Sequence, residues 1–455
     1  MSKIVEVKLW GTTIGHLGYV DDTGVAAFQY NDAPFSISPL RMPNPKGVYQ
    51  FRDTSERTFK GLPGVFADSL PDKFGDQLID IYAAQKGLNP KSVTPLDRLL
   101  YIGDRSMGAL TYHPGEAFET TEQSSLDVKS LSKLASWVTS RSHKASVDLM
   151  KADNTGAAIK LIRVGSSAGG ARAKALVSRD ETGAFFDGSK GTDPELSHWL
   201  MKFDAEGNRD LDGVDPKGLT RVEYIYMGLA DKIGIDVPKV DFVEEGEDFH
   251  FMIERFDRIK KGHRIERQHY VSWAGIADAH RDVTGAYSYE QIIQVCRNLK
   301  LPQEDVKEVF RRAVFNVLAR NQDDHTKNTG FIMDKQGNWR LSRGFDLTYS
   351  YDPLGRWTKT HQINLNGKRD GFTYDDFVTF GLYCDLSKQA VNNIIQSTRD
   401  HLQQFPALAK EYGVSKDLQK LVEANMRLHI NVPTPKRQIV KGESIKPTPK
   451  FNLDR

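Results

Sequence analysis

The octapeptide Asn321 to Asn328, "NQDDHTKN", crowds two adjacent carboxylates, an imidazole, an amine and three amide side chains into one short segment. An aspartate in such a place can orient a hydroxyl group and accept its proton. An amide oxygen five residues on, at Asn328, and a further carboxylate, Asp346 in "LSRGFDLTYS", are hard oxygen donors of the kind magnesium takes beside phosphate. Asp323, then Asn328, then Asp346 after a β-type segment is the order of a protein-kinase catalytic loop and its metal-binding aspartate. For the octapeptide alone, a polar loop that caps a helix is an equal reading.

Four upstream features bear on that choice. In "RVGSSAGGARAKAL" two serines and three glycines stand between strand-like flanks, so several backbone N–H groups can converge on an anion, although a hairpin turn has the same composition. Strand alternation in "HWLMKFD" sets His198, Leu200 and Lys202 on one face and Trp199, Met201 and Phe203 on the other. A lysine in so apolar a strand either snorkels to water or reaches a nucleotide's phosphates. On the next helix Glu223 borders the apolar stripe of Val222, Ile225, Tyr226, Leu229 and Ile233, where it faces either the sheet or solvent. "FMIERFDR" then reads as an apolar strand with a short polar exit, suited to joining two lobes and offering backbone groups to adenine. Singly these are weak; their order points to a phosphotransferase.

The elements that must position these residues are legible in outline. "IVEVKLW" and "IGHLGYV" alternate like antiparallel strands around "DDTG", and "DKFGDQLIDIYAAQKG" has helical spacing with a glycine stop, so residues 1–115 read as a small α/β unit. Residues 116–265 read as a β-rich lobe, with "GAAIKLIRVG", "AKALVSR", "HWLMKFD" and "DFHFMIERF" as strands and "TRVEYIYMGLADKIG" as its helix. Residues 266–430 read as a helical lobe; the apolar residues of "EDVKEVFRRAVFNVLAR" recur at i, i+3, i+4, i+7, a buried helix feeding straight into the octapeptide. The Pro-containing basic stretch 431–455 reads as a mobile tail or, alternatively, an extended partner-binding peptide. A net charge of +2 asks for no nucleic-acid or acidic-membrane partner, and two distant cysteines make a disulfide framework or zinc motif unexpected. The first residues lack the apolar run of a signal peptide and no segment reaches the length of a membrane span, so a cytoplasmic protein is expected.

With these residues in view, the sequence resembles the HipA family of serine/threonine kinases, the toxin halves of bacterial type II toxin–antitoxin pairs. The resemblance runs over nearly the whole chain, through "LPDKFGDQLID", "IGDRSMGAL", "GSSAGGARAKAL", "HWLMKFD", "VEYIYMGLADKIGIDVP", "IERFDR", "DDHTKN", "GFDLTYS" and "INLNGKRDGFTYDDF". It implies an α+β, kinase-like two-lobed fold with an extra N-terminal α/β subdomain and an all-helical C-terminal lobe. Asp323 is then the catalytic aspartate, and Asn328 and Asp346 the magnesium ligands. ATP is bound by Lys202, by His325 and Lys327, and by Ser167, Ala168, Gly169 and Gly170 of the glycine loop; Glu254 and Phe256 lie against adenine and Asp257 near the ribose. Glu223 positions Lys202, Ser166 is the autophosphorylated residue, and Asp324, where relatives often carry glycine, has no need of its acidity. The implied partners are a helix-turn-helix antitoxin of the HipB type, operator DNA through that antitoxin, and an aminoacyl-tRNA synthetase as substrate, glutamyl-tRNA synthetase in relatives. Two rival readings remain: a nucleotide-binding co-repressor without phosphoryl transfer, and a small-molecule kinase.

Overall fold

The structure, a computed structural model, describes residues 3–20, 23–115, 125–140, 155–165, 172–204, 208–209, 213–214 and 216–433. The glycine-loop residues Ser166, Ser167, Ala168, Gly169 and Gly170, and the tail from residue 434, lie outside them.

Strands β1 (Ile4–Leu9), β2 (Thr12–Tyr19), β3 (Ala26–Tyr30) and β4 (Val48–Gln50) form an antiparallel meander. Alternation sends Val5, Val7 and Leu9 into the core opposite Leu17 and Phe28 of the neighbouring strands. Short helices α1 (Glu56–Phe59) and α2 (Gly64–Ala67) lead to α3 (Lys73–Gln85) and α4 (Pro95–Ile102). Thr94 and Asp97 close a capping box at the start of α4, with Pro95 at its first position. The chain then returns to β1 as β5 (Leu110–His113), completing the order β4-β3-β2-β1-β5.

Helices α5 (Val128–Ser140) and α6 (Thr155–Gly165) follow. The second corrects an expectation: "GAAIKLIRVG" is helical, not a strand. A short apolar run satisfies either period, and here Leu161, Ile162 and Val164 pack into a core shared with Phe74 and Leu78 of α3 and Leu131 and Ala135 of α5. Next come β6 (Lys174–Arg179), β7 (Phe185–Asp187) and β8 (Ser197–Lys202), then α7 (Leu219–Ile233), then β9 (Val240–Glu245) and β10 (Asp248–Glu254), in a sheet of order β9-β10-β8-β6-β7. One face of β8, with Trp199, Met201 and Phe203, fills the helical core; the other, with Leu200 and Lys202, looks toward the second lobe, as alternation predicts.

A hairpin, β11 (Arg258–Lys261) and β12 (Arg264–Arg267), carries the chain across. The second lobe is mostly helical but not entirely. Strand β13 (His269–Ser272) and helix α8 (Trp273–Ala277) precede α9 (Tyr289–Asn298) and α10 (Gln303–Leu318); β14 (Gly330–Met333) and β15 (Trp339–Leu341) then pair in the order β13-β14-β15. These strands of three or four residues are too short to show a period, which is why an all-helical lobe was expected. Helices α11 (Tyr374–Tyr383), α12 (Lys388–Leu402), α13 (Phe405–Glu411) and α14 (Lys416–Asn425) complete it. Both the first unit and this lobe contribute to one continuous core. Gly64 and Gly275 let α2 and α8 meet closely: a Cβ on Gly64 would sit 2.7 Å from the Gly275 carbonyl oxygen, and one on Gly275 would collide with Asp68 Oδ2.

Candidate active site

All three units line one cleft of about 450 Å³, into which Asp72, Lys174, Lys202, Glu223, Glu254, Phe256, Asp323, His325, Lys327, Asn328 and Asp346 project. That volume and its mixed apolar and charged walls are those of a small-molecule site.

Helix α10 delivers the octapeptide. Val306, Val309, Phe310, Ala313, Val314 and Val317 are buried along it, and Arg320, at φ +60°, turns the chain out of the helix. Asn321 then ties the loop together: its Nδ2 donates to Asn316 Oδ1 at 3.0 Å and to the Asp346 carbonyl at 3.2 Å, and its Oδ1 accepts from Ser350 Oγ at 3.1 Å. Ser350 Oγ in turn accepts the Asp323 backbone N–H at 2.9 Å. Asn328 Nδ2 donates to the Asp323 carbonyl at 2.7 Å, which fixes the amide and, among the described residues, leaves Oδ1 without a hydrogen-bond partner and available as a metal ligand. Asp346 stands beside this loop at φ +53°, a left-handed conformation that costs a non-glycine residue on the order of 1 kcal/mol.

Lys202 links the lobes. Its Nζ lies 2.5 Å from Glu223 Oε1 and also contacts Asp346 Oδ1. Glu223 is 1% exposed, so it faces the sheet and not solvent. The other oxygen, Oε2, has no hydrogen-bond partner among the described residues. Burial pushes the Asp346 carboxyl up, but Lys202 and then Lys174 outweigh it and hold it at about 2. For Lys202 burial works against the charge and Asp346 and Glu223 more than offset it, so the ammonium is retained above its ordinary value. Burial lowers His325, against the opposing pull of Asp323. Its Nδ1 accepts the Lys327 backbone N–H at 3.2 Å, so the neutral ring carries its proton on Nε2.

The structure therefore brings together Asp323, His325, Lys327, Asn328, Asp346, Lys202 and Glu223, with Glu254 and Phe256 on the same wall. Phe256 stacks on Phe345 at a centroid distance of 5.9 Å. Asp257 is a correction: it does not reach the cleft. Its carboxylate is fully buried: Oδ2 accepts from Arg255 Nη2 at 2.9 Å, from Arg258 Nη1 and from the Gly108 N–H at 2.7 Å, and Oδ1 accepts from Arg255 Nε at 3.1 Å, so both oxygens are already engaged away from the cleft. Asp324 is another: relatives' glycine suggested that its charge was idle, yet the carboxylate accepts from Tyr289 Oη at 2.9 Å, the Gln362 N–H at 2.8 Å and His361 Nδ1 at 2.8 Å.

Three cleft residues escaped the sequence reading. Lys174 pairs directly across from Lys202 on adjacent strands, and burial followed by that neighbour brings its amine down to about 8. The alternation of "AKALVSR" places it on that face, but only the register shows the pairing. Asp72, from the first unit, accepts from Arg281 Nη2 at 3.0 Å and lies 3.4 Å from Lys327 Nζ. Gln362 donates through Nε2 to Asp323 Oδ1. No sequence signal joins the last two to residues more than thirty positions away.

The donor set fits magnesium and a nucleotide. Asn328 Oδ1 and the Asp346 carboxylate are hard oxygens, and among the described residues no cluster of three or more His, Cys, Asp or Glu side chains could hold a metal by itself. Magnesium takes one or two protein oxygens and completes its shell with phosphate and water.

A family model described as the HipA-like C-terminal domain matches residues 166–405, and one described as the HipA N-terminal domain matches residues 5–113. The chain belongs to the HipA family. The fold of a solved complex of Shewanella oneidensis HipA, HipB and operator DNA superposes on this HipA-family chain with a TM-score of 0.62 at 18% identity, covering 92% of this chain and 94% of that one. Among curated relatives, "Putative kinase Y4mE" of Sinorhizobium fredii is 25% identical over 195 residues, 40% of this chain and 46% of that protein. "Serine/threonine-protein kinase toxin HipA" of Shewanella oneidensis is 28% identical over 132 residues, 25% of this chain and 30% of its own length. The matched stretches thus span less than half of either relative. The α+β kinase-like fold expected from the sequence is the fold observed. No helix among the described residues is long and apolar enough to cross a membrane.

Proposed function

We propose that this HipA-family chain is an ATP- and magnesium-dependent serine/threonine protein kinase that acts as a growth-arresting toxin. The observation that carries the reading is the line Glu223, Lys202, Asp346 set across the cleft from the fixed loop Asp323 to Asn328. A strand lysine in contact with both a helix glutamate and a metal-binding aspartate is the positioning apparatus of phosphoryl transfer.

Each residue has a task that its environment supports. Asp323 accepts the proton of the acceptor hydroxyl as the oxygen attacks phosphorus. Asn328 Oδ1 and Asp346, ionised at any pH near neutrality, hold magnesium; when bound, ATP and magnesium supply the transferable phosphoryl group and neutralise its charge. Lys202, kept cationic between two carboxylates, pairs with the phosphates, while Glu223 stops it from swinging away. Glu254 and Phe256 border the adenine end, and Lys327, held by Asp72, borders the phosphate end. Ser166, with Ser167, Ala168, Gly169 and Gly170, lies in sequence between α6 and β6, and its autophosphorylation would set a charge of about −1.5 to −2 where ATP must bind. The proposed partners are a helix-turn-helix antitoxin of the HipB type with its operator DNA, and an aminoacyl-tRNA synthetase as acceptor; the solved HipA, HipB and DNA complex of the same fold supports the first.

The test is intact-mass and phosphopeptide analysis after incubation with magnesium and ATP, with Asp323→Asn alongside. One added phosphate on Ser166 in the wild type alone is the expected result. ATP binding without transfer of phosphate to the chain or to any protein in a lysate would replace this reading with the co-repressor.

A further inference from the structure

Behind the octapeptide runs a line of buried polar groups that the kinase comparison does not call for. Arg427, just beyond α14, is anchored to the end of α10: its backbone N–H donates to the Leu318 carbonyl at 2.9 Å and its Nη1 to the Val317 carbonyl at 3.0 Å. The same Nη1 lies 3.0 Å from His361 Nε2, and Nη2 donates to Asp370 Oδ1. A guanidinium only donates, so His361 Nε2 must accept and the ring carries its proton on Nδ1. That proton goes to Asp324 Oδ2 at 2.8 Å, an oxygen that also accepts from Tyr289 Oη, while Asp324 Oδ1 accepts the Gln362 backbone N–H at 2.8 Å. Gln362 then donates through its side-chain amide to Asp323 Oδ1. His361, Asp324, Arg427 and Gln362 are 0%, 5%, 4% and 7% exposed. Donor and acceptor roles are thus determined at every step, from a terminal arginine to the carboxylate of the base.

We propose that Gln362 is the positioning residue of the phosphoryl-transfer site, holding Oδ1 of Asp323 so that Oδ2 alone meets the acceptor hydroxyl. Asp324, His361 and Arg427 hold Gln362 in turn. The inference rests on the kinase reading above. Two features single out Gln362. Oδ2 of Asp323 has no hydrogen-bond partner among the described residues, so the amide is the one side-chain hydrogen bond that orients this carboxylate there. And Gln362 is itself in the cleft, at the end of the line, with its backbone already fixed by Asp324. A carboxylate free to rotate would present a proton acceptor in the right place only part of the time.

The test uses the full chain, with magnesium–ATP as substrate and phosphate incorporation into the chain as readout. Gln362→Met keeps the length and removes the donor; kcat should fall about 10- to 100-fold, the size of a lost supporting hydrogen bond. KM for ATP should stay within about twofold, because the amide faces the base and not the nucleotide. Gln362→Glu is nearly isosteric but sets a second carboxylate against Oδ1 in place of the donor, so kcat should fall there as well, again with KM for ATP within about twofold. A residue that merely packs would tolerate this isosteric change, and a loss of packing would lower Tm, which is measured for both variants. Wild-type kcat in both variants, or a fall in kcat that only follows a lost fold, overturns the inference and leaves the kinase reading intact. A wild type that transfers no phosphate while binding ATP overturns both.

Discussion

Replacing Asp257 by asparagine separates two roles for one residue: a ribose contact or a structural counter-ion. Its carboxylate and the guanidiniums of Arg255 and Arg258 all have side chains that are 0% exposed. Asparagine preserves the shape, but leaves two cations in the interior with an amide N–H turned toward one of them. Breaking a buried pair by neutralising one partner costs about 3–5 kcal/mol. At roughly 2–4 °C per kcal/mol for a unit of this size, Tm should fall by about 6–20 °C. Thermal unfolding followed by calorimetry at pH 7, with ATP titrated into the folded variant well below its transition, reads both quantities. The pH dependence carries a second signature. Burial raises the Asp257 carboxyl but Arg255 and Arg258 outweigh it, holding it well below the ordinary carboxylate range. A depressed group stabilises the fold above its unfolded value of about 3.9 and loses that contribution as pH falls toward its native one. The gap in Tm between wild type and variant should therefore be full at pH 6 and narrow as the solution is acidified below about pH 4. A variant with unchanged Tm and weakened ATP binding would refute the structural role and restore the ribose contact.

Four further outcomes follow from the same geometry. Asp323→Asn should abolish phosphoryl transfer in a filter-binding assay while ATP affinity by calorimetry stays near wild type, whereas Asp346→Asn should reduce both through the lost magnesium oxygen. Glu223→Gln should raise KM for ATP by about tenfold or more, ~1.4 kcal/mol, because Lys202 then answers to Asp346 alone. Gly275→Ala should lower Tm through about 1–3 kcal/mol of overpacking, since the new methyl group would meet Asp68 between α2 and α8. Activity of the wild type should show no loss attributable to Asp346 as pH falls from 7 to 4, because that carboxyl stays ionised down to about 2; a pH profile of magnesium affinity checks it.

What could be read from sequence was what a period or a local order reveals. Alternation in "HWLMKFD" placed Lys202 on the correct face, and the 3.6-residue spacing of α10 led directly to the octapeptide it holds. Glu223 sat at the margin of its helical stripe, and periodicity alone does not say whether a margin is buried; only the packing of α7 against β9 and β10 decides it. The resemblance at the hinge sets Asp257 near the ribose, yet Arg255 and Arg258 on either side turn inward with it. The outer donors of Arg258, and with them those of Arg267, reach the "GDRSMGAL" segment, Arg258 donating to the Ser106 and Gly108 carbonyls and Arg267 to those of Asp104 and Gly108. That contact spans some 150 residues and leaves no local trace. Gln362 and Asp72 were invisible for the same reason: each acts on a catalytic-loop residue through a tertiary contact.

Asp72 sits just before α3 in the N-terminal unit, yet it balances Arg281 and Lys327 beside the catalytic loop. A molecule gripping the N-terminal unit so as to withdraw that carboxylate would leave two cations facing the phosphate end of the cleft. Thermodynamic linkage makes such an effect run both ways. Whatever shifts nucleotide affinity by pulling on α3 must have its own affinity shifted, by the same factor, when nucleotide fills the cleft.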